Sequence, residues 1–456
     1  MSWRQLGTLS LSLSLKAEEV TMSSSINVHR LGLLVSVVFV ILNGPGNLVV
    51  AFKDQKGLGF DTKSLLVDTH KSFSRLHMMR RLAATSTSTA KVVNVDDYGA
   101  KGDGGDDSEA FKKAWNVACS TERAVLEVPK NRIYHLKPTT FSGPCKSDLT
   151  FKVYGTIKAS VRLSDYNKDR RHWLVFDSLT DFRMEGGGFI NGNGRKWWAN
   201  SCKINKALPC KAAPTAMTFY ECKNLRVADL IIQNAQQMHL SFQKCVNVKA
   251  LNLLVSAPAK SPNTDGIHVT GTQNILIKNC VIRTGDDCIS IVSGSKNVQA
   301  TDIVCGPGHG ISIGSLGADK STDYVSNVLV NRARLSGTTN GVRIKTWQGG
   351  SGYAKNIIFQ NISMRNVSNP IIIDQNYCDQ NGPCPKQVSA VQVSNVMYKN
   401  IKGTSASEVA INFDCSKSYP CTGILLQNVG LVSNSGESAK ASSLNVRYTK
   451  MGDVYP

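Results

Sequence analysis

From about residue 218 onward one pattern recurs: an asparagine, a run of alternating apolar residues, a turn, a second short alternating strand and another turn. The asparagines stand at Asn224, Asn247, Asn274, Asn297, Asn327, Asn356 and Asn395, with successive spacings of 23, 27, 23, 30, 29 and 39 residues. No long segment carries the period of a helix. Short strands rich in Ile and Val at this period cannot bury an apolar face alone, so each coil has to stack on the one before it. The expected fold is therefore all-β, a β-solenoid. Equivalent residues on adjacent coils lie ~4.8 Å apart, which turns sequence register into geometry. The asparagines are expected to hydrogen bond along the stack and to tolerate the turn conformation.

A solenoid end exposes apolar interior and open strand edges unless it is covered. Asp106-Asp107-Ser108-Glu109, followed by Ala110-Phe111-Lys112-Lys113-Ala114-Trp115, predicts a short N-terminal capping helix. Asp106 and Glu109 have the spacing of a capping box, and Phe111 and Trp115 would be the buried side chains. The glycine-rich Gly99–Gly105 run lacks a Gly-Lys-Ser/Thr ending and carries Asp103, so it reads as a structural turn, not a phosphate loop.

Leu31–Leu42 is an uninterrupted apolar run preceded by His29-Arg30. It is short for a membrane span and suits the apolar core of a secretory signal. Residues 1–51 are expected to be the signal region, with cleavage after Ala51. The 21 residues before Met22 are unusual for a signal, which makes Met22 a second candidate start. Residues 52–90, polar and basic with Arg80-Arg81, read as a linker or propeptide, and residues 91–456 as the solenoid. Secretion fits the 13 cysteines. Cys378/Cys384 and Cys415/Cys421 have spacings suited to closed loops, and Cys202/Cys210 and Cys119/Cys145 are further candidate pairs. Cys288 and Cys305 flank one rung; Cys222, Cys245 and Cys280 read as buried thiols. Asn361 and Asn366 head glycosylation sequons.

Residues 91–456 carry 43 basic against 28 acidic side chains, a net of +15. That surplus suits a polyanion. No basic amphipathic helix, zinc-finger spacing or aromatic-basic repeat supports nucleic acid, whereas an acidic polysaccharide fits the charge. No membrane attachment after signal cleavage, no metal and no cofactor is expected, and the chain is expected to act as a monomer.

Three segments stand 22 residues apart: Asn263-Thr264-Asp265-Gly266, Gly285-Asp286-Asp287-Cys288 and Gly308-His309-Gly310. Each precedes an alternating strand (267–269, 289–291 and 311–313). Aligned on those strands, Asp265, Asp287 and His309 fall in one column. Arg343-Ile344-Lys345 continues the register, with Arg343 on the face of His268, Ser290 and Ser312. Taken singly, each is an ordinary turn residue. Together they set three carboxylates, an imidazole and two cations on one patch facing an acidic ligand.

As a set, these four segments resemble the signature motifs of the polygalacturonases, inverting glycoside hydrolases of pectin, and are closest to plant members. The likeness runs from about Val93 to near the C-terminus. It implies a right-handed parallel β-helix with its active site in a groove along the stack, secreted into the cell wall. It also implies Asp286 as general acid, Asp265 and Asp287 as the pair that positions and deprotonates water, and His309 as the tuner of the acid. Arg343 and Lys345 would grip a galacturonate carboxylate, Tyr377 would contact the sugar, and Asn263 is a further candidate. One of three crowded carboxylates should have a raised pKa. Endo attack is the expected mode. Exo attack, a rhamnogalacturonan hydrolase, a calcium-dependent pectate lyase and a non-catalytic wall-binding protein are the alternatives.

Overall fold

The computed structural model describes residues 90–379 and 384–456, and before them only two short strand pairs, Leu15–Lys16 with Glu19–Val20 and Val37–Leu42 with Leu48–Lys53. The expected signal and linker segments thus lie largely outside the described residues. Ala90–Pro456 forms one compact unit. It is a right-handed parallel β-helix: a 19-stranded and an 11-stranded sheet in which successive coils pair in parallel. From Gln273 onward, the two strands that earlier coils place on the larger sheet fuse into single long strands, such as Gln273–Arg283 and Thr322–Ser336.

Alternation along each strand sends every second side chain inward, and stacking lines these up into columns. In the 11-stranded sheet Phe176, Phe219, Phe242, Val269, Ile291, Ile313, Ile344, Ile373 and Phe413 occupy successive rungs. The rings of Phe176 and Phe219 stack at 4.9 Å, and those of Phe219 and Phe242 at 5.6 Å.

The helix Ser108–Cys119 closes the N-terminal end, with Phe111 and Trp115 buried and the Trp115 ring 5.0 Å from Phe141. Its start differs from the expectation. Asp107 is the cap residue, its carboxylate turned away to accept from the backbone of Lys101 and His135. Asp106 accepts from the Ser108 amide instead, and Glu109 pairs with Lys112, so no capping box forms. A buried carboxylate has to be hydrogen-bonded, and the amides of Lys101 and Gly102 in the glycine-rich loop and of His135 supply the donors.

The repeated asparagines form a ladder. Asn224, Asn247, Asn274, Asn297, Asn327, Asn356 and Asn395 all take positive φ, from 54° to 59°. Each Nδ2 donates to the Oδ1 of the rung before, as in Asn297 to Asn274 at 2.8 Å, and Asn224 donates to Asp181. In register after Asn395 comes Gly423, where any side chain would meet the Asn395 oxygen. A second ladder carries Asn331, Asn361, Asn400 and Asn428. The sequon residue Asn361 is thus a rung with its amide engaged.

All five expected cysteine pairs are disulfides, and Cys222, Cys245 and Cys280 are buried thiols.

Candidate active site

The turns that enter the 11-stranded sheet carry the motif residues. Gly310 enters its strand at a φ of +88°, and a Cβ there would collide with the Asn340 carbonyl of the next coil. Gly285 passes equally close to the Ser261 backbone, and Thr264 holds its amide at 2.9 Å. The Cys288–Cys305 disulfide ties the turn immediately after Asp287. Register follows the alignment read from sequence: Ile267, Ile289, Ile311 and Val342 are partners, as are His268, Ser290, Ser312 and Arg343.

Asp287 is the hub. It is 1% exposed, and its Oδ1 accepts from Ser312 at 2.8 Å and Arg343 Nη2 at 2.9 Å. Its Oδ2 accepts from Lys345 Nζ at 3.0 Å. Asp265 lies one coil earlier, its Oδ2 accepting from the Ser290 hydroxyl at 2.7 Å, with His268 Nδ1 at 2.8 Å from that hydroxyl. Asp286 faces His309, Nδ1 to Oδ1 3.1 Å, and the His309 amide donates to the Asp286 carbonyl. Tyr377 roofs the cations: Lys345 Nζ lies 5.3 Å from its ring, which meets Trp347 edge-on at 5.2 Å.

The electrostatics divide the carboxylates. Burial, then the charge of Asp286, raises Asp265 above the ordinary range. Burial would raise Asp286 as well, but the His309 hydrogen bond and charge, with Lys345, outweigh it and hold Asp286 low. The same hydrogen bond lifts His309 above the usual imidazole value. One carboxylate does rise, but it is Asp265 and not the residue expected to be the acid. The pairing thus favours the ionised form of Asp286 and the protonated form of His309.

The oxygens and nitrogen of Asp286, Asp287 and His309 lie within 4.8 Å of one another, a spacing that could hold a cation. The donor set does not suit one. Both oxygens of Asp287 already accept from a guanidinium and an ammonium, and a divalent ion would have to displace two fixed positive charges.

Two residues outside the motifs belong to the site. His239 is fully buried between the Asp265 carbonyl (Nδ1, 2.9 Å) and the Ser256 carbonyl (Nε2, 3.1 Å), and burial pulls it down to about 4. A neutral ring carries one N–H and donates to one of these two carbonyls, while the His239 amide itself donates to the Asp265 carbonyl at 2.8 Å. Asp374 is the strand partner of Lys345 and is raised by burial. His239 carries no local signal, because its partners are distant in sequence. Asp374 stands three residues before Tyr377 in the segment that supplied that residue.

Asn263, at φ 55°, lines a cleft together with Pro262 and residues of earlier coils, among them Gln237, Lys211 and Arg170. Lys203 Nζ lies 2.7 Å from Asp379 Oδ1, joining a segment that precedes its strand of the 11-stranded sheet to one that follows its own. No helix of the described residues is long and apolar enough to cross a membrane.

The chain is similar to known proteins over most of its length. The family model described as glycosyl hydrolases family 28 matches residues 119–451. Polygalacturonase QRT2 of Arabidopsis thaliana is 62% identical over 83% of this chain and 87% of its own length. Polygalacturonase-2 of Solanum lycopersicum is 59% identical over 80% of each chain. Among solved structures, a polygalacturonase from Erwinia carotovora matches with a TM-score of 0.63 at 21% identity, covering 80% of this chain and 98% of its own, which bears on the fold. The extent of the family match and the identity to these relatives establish that the chain belongs to glycosyl hydrolases family 28.

Proposed function

We propose that the chain hydrolyses the α-1,4-galacturonosidic bonds of polygalacturonate in cell-wall pectin. The observation that carries the reading is the stacked column of Asp265, Asp286–Asp287 and His309 beside Arg343 and Lys345. Cleavage of a glycosidic bond needs an acid for the leaving oxygen and a base for water. Asp286 is the acid. An arriving galacturonate brings negative charge and excludes water, both of which raise Asp286 and draw onto it the proton that His309 holds. Asp265 and Asp287 flank the attacking water and take its proton. Arg343 offers the remaining donors of its guanidinium, and Lys345 its ammonium, to the sugar carboxylate, with Tyr377 against the ring.

Inversion fits the bonding better than retention. The short spacing of Asp286 and Asp287 alone would suit a retaining pair, at roughly 5 Å. Attack on the sugar, however, would require Asp287 to leave the Ser312, Arg343 and Lys345 donors that hold it, whereas binding a water at its remaining lone pairs leaves them in place. Endo attack is the proposed mode. Five disulfides support action in the oxidising wall space, and residues 1–51 supply the proposed signal.

The test is incubation with de-esterified polygalacturonate in EDTA, following reducing ends, ultraviolet absorbance and viscosity together. New reducing ends without an unsaturated chromophore, and an early viscosity drop, are expected. A chromophore that appears only with calcium would make the chain a lyase and remove Asp286 from the acid role. Slow viscosity loss would mean exo attack.

A further inference from the structure

The ion pair of Lys203 and Asp379, 2.7 Å from Nζ to Oδ1, has no part in the roles assigned above. Lys203 belongs to the segment before the strand Thr215–Tyr220, and Asp379 follows the strand Asn369–Tyr377. These strands and the five between them run parallel, so their starts lie along one edge of the sheet and their ends along the other. The pair therefore reaches from the edge that carries Asp265, Asp286, Asp287 and His309 to the opposite one. It also reaches along the stack, because the strands that follow those residues, Ile267–Thr270, Ile289–Ile291 and Ile311–Leu316, are among the five between.

Both ends stand on the groove side of the sheet, since the inner face is filled by the apolar columns. Beside Lys203, Asn200 and Ser201 line a cleft with Asn263, in the turn that leads to Asp265. Two residues before Asp379, Tyr377 lies over the Lys345 ammonium, and burial, then the charge of Asp379, raises the Tyr377 hydroxyl. Each end is braced. Cys202–Cys210 closes the loop around Lys203, the Ser201 carbonyl accepts from the amides of Ile204 and Asn205, and Trp198 holds the base of the segment through the Ala235 carbonyl at 3.0 Å. Asp379 follows directly on Cys378, which is bonded to Cys384. The pair itself is the weak point: Lys203 is 41% and Asp379 50% exposed, and an exposed ion pair contributes little and opens readily.

We propose that Lys203 and Asp379 form a latch across the groove, which opens to admit the polymer and closes over it, so that one encounter yields several cuts. This rests on the polygalacturonate reading above. A polymer lying along the stack passes beneath the pair. An internal bond reaches Asp286 only from the side, so the latch has to open for the first cut. Once it has closed, the polymer leaves by sliding lengthwise, and sliding brings further bonds to Asp286. The pair thus sets how many bonds are cut per encounter and leaves the chemistry at each bond to the cluster. A short oligomer enters and leaves lengthwise and has no need of the latch.

The test compares full chains early in the digestion of de-esterified polygalacturonate. It measures reducing ends on ethanol-soluble oligomers against those left on the precipitated polymer. Several cuts per encounter give a high ratio, and random cuts a low one. The native chain is expected to give a high ratio. Lys203→Gln and Asp379→Asn should each lower it roughly two- to fivefold, the weight of one exposed ion pair, with kcat on a galacturonate hexamer unchanged. Exchange of the charges, Lys203→Glu with Asp379→Lys, should bring the ratio back, which lost folding would not allow. A native ratio as low as random cutting, single variants with the native ratio, or an exchanged pair that fails to recover it would overturn the latch. Failure of the native chain to release any reducing ends from polygalacturonate would instead overturn the activity.

Discussion

Asp286 and His309 share one proton, and the pH dependence of the reaction follows from where it sits. His309 is raised above its ordinary value by Asp286, so the pair keeps its proton below that raised pKa and loses it as pH climbs through it. Asp265 is raised as well, so its basic form is lost earlier than usual as pH falls. A kcat/KM profile should be bell-shaped, with an acidic limb above the ordinary aspartate range and an alkaline limb above the ordinary histidine range. Replacing His309 with Gln should move the alkaline limb and leave the acidic one nearly in place; an unmoved alkaline limb would detach His309 from the acid. Asp286→Asn should lower kcat by roughly 10²–10⁴ while oligogalacturonate still binds, measured by single-turnover assay and calorimetry. These residues are legible in the sequence because all lie on turns of equal spacing, where register converts directly into proximity. His239 is not: it reaches Asp265 across 26 positions through a backbone carbonyl, and a single histidine before a strand announces nothing.

The turns between strands owe their shape to the asparagine ladders. At Asn274 the backbone is left-handed, at φ 59°, and the side chain both gives and receives a bond along the stack. Asn274→Ala loses both bonds and leaves the Cβ at a left-handed φ without the polar side chain that makes it tolerable there, about 1–3 kcal/mol in all. Asn274→Gly loses the bonds but keeps the conformation. Urea unfolding should therefore rank native above Gly and Gly above Ala; Ala equal to Gly would mean that φ is not what selects asparagine there. The ladder was readable because one residue type recurs in one place. The start of the capping helix is not legible in the sequence, because Asp106 and Asp107 are adjacent and only the fold decides which faces inward. The segment between Arg195 and Pro214, with its short helix Arg195–Ala199, was not placed by the repeat at all, since an insertion between coils has no register to inherit.

For the whole molecule, net charge and groove act together. A surplus of +15 over residues 91–456 acts on pectin at a distance, and salt screens it over about 8 Å at physiological strength. Retention on de-esterified pectin should fall steeply between low and high salt, whereas kcat on a short oligomer should change much less. Co-sedimentation across a salt series checks this, and salt-independent retention would assign adhesion to the groove contacts alone. One further property comes from the direction of the asparagine amides. Every donor points back toward Asp181, so a chain folding from its N-terminus always presents a finished oxygen for the next amide to find. Each asparagine amide along this ladder is held by the coil before it. Gly423 and Gly452 then stand where Asn395 and Asn428 would meet another side chain. The ladder thus has a polarity, with its acceptor end at Asp181 and a glycine in register after its last asparagine.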